Sequence, residues 1–172
     1  MKLKQPFILW FTGLPCSGKT TLSRQLEQNF SSKNLELKVL DGDSLRKNFS
    51  KDLGYSPKDR QKHNLRVAEK AHKIYKTGIP VCVALISPYL ETRRKIKNNY
   101  ENVLEVYLKC DLEICKQRDV KGMYRKALNG EINNYTGVDA PYEKPENPEI
   151  IVETDKYDIM CCAEKIFSYC KK

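Results

Sequence analysis

Apolar residues fall along this chain in short unbroken runs, separated by longer stretches in which they recur every three or four positions. The runs Phe7–Thr12, Leu37–Leu40, Pro80–Ile86, Val103–Leu108 and Ile150–Val152 predict strands. The stretches Lys19–Phe30, Pro57–Lys76, Thr92–Tyr100, Leu112–Arg118 and Asp158–Tyr169 predict helices. Strands that alternate with helices build β-α-β units, and so a parallel sheet covered on both faces. In the longest helix, Leu65, Ala68, His72 and Tyr75 define the expected inward side, and His72 reads as core lining. One stretch breaks the rhythm. Asn129–Pro148 holds Gly130, Gly137, Pro141, Pro145 and Pro148 without periodicity, and a loop of about 20 residues inside a compact domain points to an active-site lid. No repeat, linker or second domain is visible, so residues 1–172 read as one domain.

The first apolar run leads into Gly13-Leu14-Pro15-Cys16-Ser17-Gly18-Lys19-Thr20, a full match to G-x-x-x-x-G-K-[ST] between a strand and a helix. The spacing has a chemical reason. Glycines let the chain turn so that successive N–H groups face phosphate oxygens, and the helix N-terminus adds favourable dipole charge. Lys19 is placed to reach the β- and γ-phosphates of ATP, and the Thr20 hydroxyl to bind Mg²⁺. The expected fold is therefore a three-layer α/β P-loop NTPase with a five-stranded parallel sheet. Cys16 sits at a helix N-terminus, a position that can depress a thiol pKa and favour oxidation.

Charge sharpens the choice of partner. The 31 Lys and Arg outnumber the 22 Asp and Glu for a net charge of +9, an excess that attracts polyanions. The basic residues are dispersed and no RNA-binding motif is present, which favours small phosphorylated nucleotides over nucleic acid. No run is long enough for a membrane helix. The opening MKLKQPFILWFTG has the lysines and apolar run of a leader, but it passes into the glycine motif and not into a cleavage site. Seven cysteines without a C-x-x-C pair argue against a disulfide framework or a zinc site, and for reduced thiols in the cytoplasm.

After the second predicted strand comes Leu40-Asp41-Gly42-Asp43-Ser44-Leu45-Arg46. Carboxylates at a strand's C-terminal end in a parallel sheet lie where ligands bind. One of them is suited to orient Mg²⁺ or to accept the proton of an attacking hydroxyl, and Arg46 to hold an anionic acceptor. With these residues the chain resembles the adenylylsulfate kinase (APS kinase) family. The further matching pieces are Asp59-Arg60, Ile86-Ser87-Pro88-Tyr89 and the long run from Asp119 to Ile150.

The resemblance implies transfer of phosphate from ATP to the ribose 3′-hydroxyl of adenosine 5′-phosphosulfate, giving PAPS and ADP. It implies Asp43 at the acceptor hydroxyl and metal, and Arg46 and Arg60 on the phosphosulfate. It implies Tyr55 and Tyr135 sandwiching the acceptor adenine, Ile86 and Ser87 beside the acceptor, Lys121 at the start of a lid spanning about 119–150, and a homodimer. Lys19, Asp43 and Ser87 are then the catalytic candidates. A covalent role for Ser87 is not expected, because P-loop kinases act by positioning and charge stabilisation.

The family pattern D-R-x-x-N-I-R-R is replaced by Asp59-Arg60-Gln61-Lys62-His63-Asn64-Leu65-Arg66. Either His63 or Asn64 serves the acceptor. That change leaves open a kinase of the same fold acting on a cytidine diphosphate derivative such as cytidine diphosphoramidate, in capsule modification. From another class, a silent nucleotide-binding module is disfavoured by intact Lys19, Thr20 and Asp43. Arg93 and Arg94 read as a solvated helix face or as site residues.

Overall fold

In a computed structural model that describes residues 5–171, a five-stranded, wholly parallel sheet runs in the order β2-β3-β1-β4-β5. The strands are β1 (Ile8–Thr12), β2 (Lys38–Asp41), β3 (Val81–Ala84), β4 (Val103–Lys109) and β5 (Ile150–Glu153). The helices are α1 (Lys19–Ser31), α2 (Gly42–Asn48), α3 (Pro57–Tyr75), α4 (Leu90–Asn99), α5 (Leu112–Gln117), α6 (Met123–Leu128) and α7 (Ile159–Cys170).

Every residue of β1 is buried, and its alternation feeds two cores. Leu9 and Phe11 pack with Leu22, Leu26 and Phe30 of α1 and with Ile166 and Phe167 of α7. Ile8 and Trp10 face the other side, against Leu45, Val67, Ala68, Ala71 and Ile96 of α2, α3 and α4. The result is the three-layer architecture that the alternation of runs predicts. The chain crosses from one side of β1 to the other between β3 and β4, so the loop after β1 opens at a topological switch point, where ligands bind in such sheets. Among the described residues, no helix is long and apolar enough to cross a membrane.

Four local expectations change. Helix α2 is additional to the expected elements: the Asp41 carboxylate accepts from Ser44 N at 3.4 Å and caps it, and it starts at Gly42. The 119–149 segment contains α6, whose first turn is held by Asp119 accepting from the Met123 and Arg125 amides. From Asn129 onward it is irregular, as its prolines and glycines predict. The buried stripe of α3 is Arg60, His63, Asn64, Val67, Ala68, Ala71 and Tyr75, one position round from the expected side. Leu65 and His72 are half-buried at its border, His72 stacked on Tyr75 and tilted against Tyr100. Polar residues fill the inward positions of the first turns, so hydrophobicity did not mark them.

Candidate active site

The loop from Gly13 to Thr20 is built by two kinds of glycine. A Cβ on Gly13 would lie 2.7 Å from the Leu108 carbonyl oxygen, while Gly18, at φ +94°, caps α1 in the left-handed region. Cys16 shares that region at φ +61°. The loop is braced from outside: the Thr154 hydroxyl donates to Ser17 O at 2.9 Å, and the Tyr124 hydroxyl to Pro15 O at 3.2 Å.

Lys19 folds back, its Nζ donating to Gly13 O (2.9 Å), Leu14 O (2.5 Å) and Ser17 Oγ (3.2 Å). Burial pulls its pKa down to about 8. Burial, followed by the Asp119 charge, pushes the Cys16 thiol up, opposite to the lowering that a helix N-terminus can give. The Thr20 hydroxyl donates to Asp41 Oδ1 at 2.7 Å. Asp43, two residues on, points elsewhere and is paired with Lys121 from the 119–149 segment. All seven cysteines are free.

A second cluster lies across α2 and the start of α3. The guanidinium groups of Arg46 and Arg60 sit 5.0 and 5.5 Å from the exposed Tyr55 ring. Arg60 donates from Nε to Tyr55 O (3.1 Å) and from Nη2 to Asn134 O (2.5 Å), so it bridges to the residue before Tyr135. Tyr135 is packed edge-on against Tyr124, and its amide is held by Asp139 at 2.7 Å. His63 is buried beside these arginines with neither ring nitrogen hydrogen-bonded, and burial together with Arg46, Arg66 and Arg60 lowers its pKa to about 4. Asn64 is also buried, but its amide is committed to Ser87 Oγ at 3.0 Å. The fold thus brings together one set of candidates around the phosphate loop and another around Tyr55 and Arg60.

Residues 5–153 match the adenylylsulphate kinase family. The chain belongs to that family. Adenylyl-sulfate kinases from Thermodesulfovibrio yellowstonii and Oceanobacillus iheyensis are each 43% identical to it. They cover 96% and 95% of this chain, which spans 84% and 83% of their own lengths. A solved structure of the Mycobacterium tuberculosis APS kinase in complex with AMPPNP and APS has a TM-score of 0.93 at 35% identity. The overlap covers 98% of this chain and 99% of that one.

In this adenylylsulphate kinase family member, one buried residue is a correction to the sequence reading. Arg93 is not on a solvated face. Its Nε meets Glu105 Oε1 at 2.7 Å, its Nη1 meets Ser87 O at 2.5 Å and its Nη2 meets Glu143 O at 2.6 Å. Both partners of the ion pair are almost wholly buried, at 2% and 8% side-chain exposure. Arg94 does face solvent and pairs with Glu146. Replacing Arg93 by Met strands Glu105 in the interior, a loss of about 3–5 kcal/mol for a broken buried pair. Urea unfolding should show that loss, while Arg94→Met leaves the midpoint where it was.

Sequence reasoning also missed Tyr142, whose hydroxyl lies 2.9 Å from Thr12 Oγ1 at the mouth of the phosphate loop. The only signal was its place inside the long family-like run.

Proposed function

We propose that this chain transfers the γ-phosphoryl group of ATP to the ribose 3′-hydroxyl of adenosine 5′-phosphosulfate, giving PAPS and ADP. The observation that carries this reading is Arg60, which bonds the Tyr55 and Asn134 carbonyls and so ties together the two segments that carry Tyr55 and Tyr135. Tyr55 and Tyr135 offer aromatic faces to the acceptor base. Arg46 and Arg60 offer planar donors to its phosphosulfate. His63 and Ile86 border the acceptor, and Ser87 lies behind them.

On the ATP side, the loop from Gly13 to Thr20 wraps the polyphosphate with the backbone N–H groups at its α1 end, from Cys16 to Thr20, and Lys19 moves from its loop carbonyls onto the β- and γ-phosphates. The Thr20 hydroxyl, with Asp41 at 2.7 Å and Asp43 nearby, supplies oxygen donors of the kind that Mg²⁺ takes alongside substrate phosphates. Held by these oxygens, Mg²⁺ would supply positive charge against the transferring group. Asp43 receives the proton of the acceptor hydroxyl. The 119–150 segment serves as a lid within a single kinase domain, and its Lys121 reaches across to Asp43, closing the site against water. We read the enzyme as a cytoplasmic homodimer. Its seven free thiols suit a reducing compartment, and sedimentation velocity tests the stoichiometry.

The deciding experiment supplies Mg·ATP with a panel of acceptors, including adenosine 5′-phosphosulfate, cytidine diphosphate and cytidine diphosphoramidate. The expected result is 3′-phosphorylation of adenosine 5′-phosphosulfate, with kcat/KM at least about tenfold above any cytidine compound, or about 1.4 kcal/mol of transition-state preference. The reverse order would keep the kinase and reassign the acceptor.

A further inference from the structure

The Ile86–Tyr89 turn is tied to several parts of the site. Ile86 O accepts from Gly13 N (3.3 Å) and from the Thr12 hydroxyl (2.9 Å), and Ser87 O accepts from Thr12 and from Arg93. Pro88 O accepts from Glu143 N at 2.9 Å. Phosphate loop, α4 and lid therefore all meet on this turn. At its centre Ser87 is 1% exposed and held at φ +46°, a conformation costly for any residue with a Cβ.

The Ser87 side chain adds the missing connection. Its Oγ accepts from Trp10 Nε1 and from Asn64 Nδ2, each at 3.0 Å. A hydroxyl oxygen has two lone pairs and one proton, so both lone pairs are engaged and only the proton is left to give. We propose that Trp10 and Asn64 are positioning residues that act through Ser87, clasping the acceptor helix α3 to the turn that carries the phosphate loop. Asn64 lies one turn along α3 from Arg60 and next to His63, so the clasp fixes the acceptor groups relative to the transferring phosphoryl. An oxygen whose lone pairs are both held is also a poor nucleophile, so transfer bypasses Ser87. This inference rests on the kinase reading above.

A double-variant cycle tests it. Asn64→Leu should raise the acceptor KM about tenfold, the scale of one lost buried hydrogen bond, with the KM for ATP within about twofold of the parent. In a Ser87→Gly background, where the partner is gone and the backbone angle is unstrained, Asn64→Leu should cause no further rise. Trp10→Phe, which deletes one donor at similar volume, is read in the same way and stands in if Asn64→Leu fails to fold. Equal rises in both KM values, additive effects in the double variant, or phosphoserine at position 87 in protein quenched during turnover would each overturn the proposal. Wild-type turnover of adenosine 5′-phosphosulfate in the same assay separates this result from failure of the acceptor reading; if another acceptor wins the panel, the cycle is run with that one.

Discussion

Lys19→Ala should lower turnover by roughly 10²-fold or more, the scale for deleting an electrostatic donor aimed at developing charge, in a protein that stays folded. The fold survives because Lys19 bonds only to its own loop, and Ser17 retains its bond from Thr154. Its burial makes a second measurement informative. The folded-state pKa, about 8, lies well below the ordinary lysine value of 10.5. A polyphosphate at Nζ favours the charged form and raises that pKa. Between the two values the complex holds more proton than the free enzyme, so ATP binding takes up protons and weakens as pH rises through about 8. Calorimetry in buffers of different ionisation enthalpy should detect this uptake in the wild type and not in Lys19→Ala. Near-normal turnover in the folded variant would remove Lys19 from the mechanism.

The second large effect is at Asp43. Asp43→Asn is expected to lower kcat and kcat/KM together by roughly 10²-fold, as for a group that takes a proton in the transition state, with the KM for ATP little changed. The geometry separates it from Asp41, which is occupied with the Thr20 hydroxyl and the cap of α2. Asp43 is tied only to Lys121, and only through Oδ2, which leaves Oδ1 for the acceptor hydroxyl. Steady-state kinetics with both substrates varied decide between them. An unchanged kcat moves the proton-accepting role to Asp41.

The sheet was legible because each strand carries a short apolar run, unbroken in β1 and β3, which are buried on both faces; all five lie within two residues of their expected limits. The phosphate loop was legible because its glycines, lysine and threonine are fixed by the anion it is shaped to hold. What escaped the sequence depended on distant partners. Arg93 is indistinguishable from Arg94 in any local pattern, and partners distant in sequence, Glu105 with the Ser87 and Glu143 carbonyls, turn one inward. The start of α3 hid its inward face because Arg60, His63 and Asn64 occupy it, and a hydrophobic periodicity does not count such residues as inward. Helix α2 was hidden because an aspartate before glycine signals a turn as readily as a cap.

The carboxylates of Glu143, Glu146 and Glu149 recur every three residues and fasten the end of the lid along α4. Glu143 meets the Leu90 amide, Glu146 meets Arg94, and Glu149 meets both Lys97 and the Glu105 amide, immediately before β5 begins. β5 is an edge strand, paired on one side only. The ladder works like the strain relief on a cable. If residues 119–150 lift as the lid proposed above, the pull would meet these contacts on α4 before it reached the strand, and the exposed edge of the sheet would be spared at each turnover.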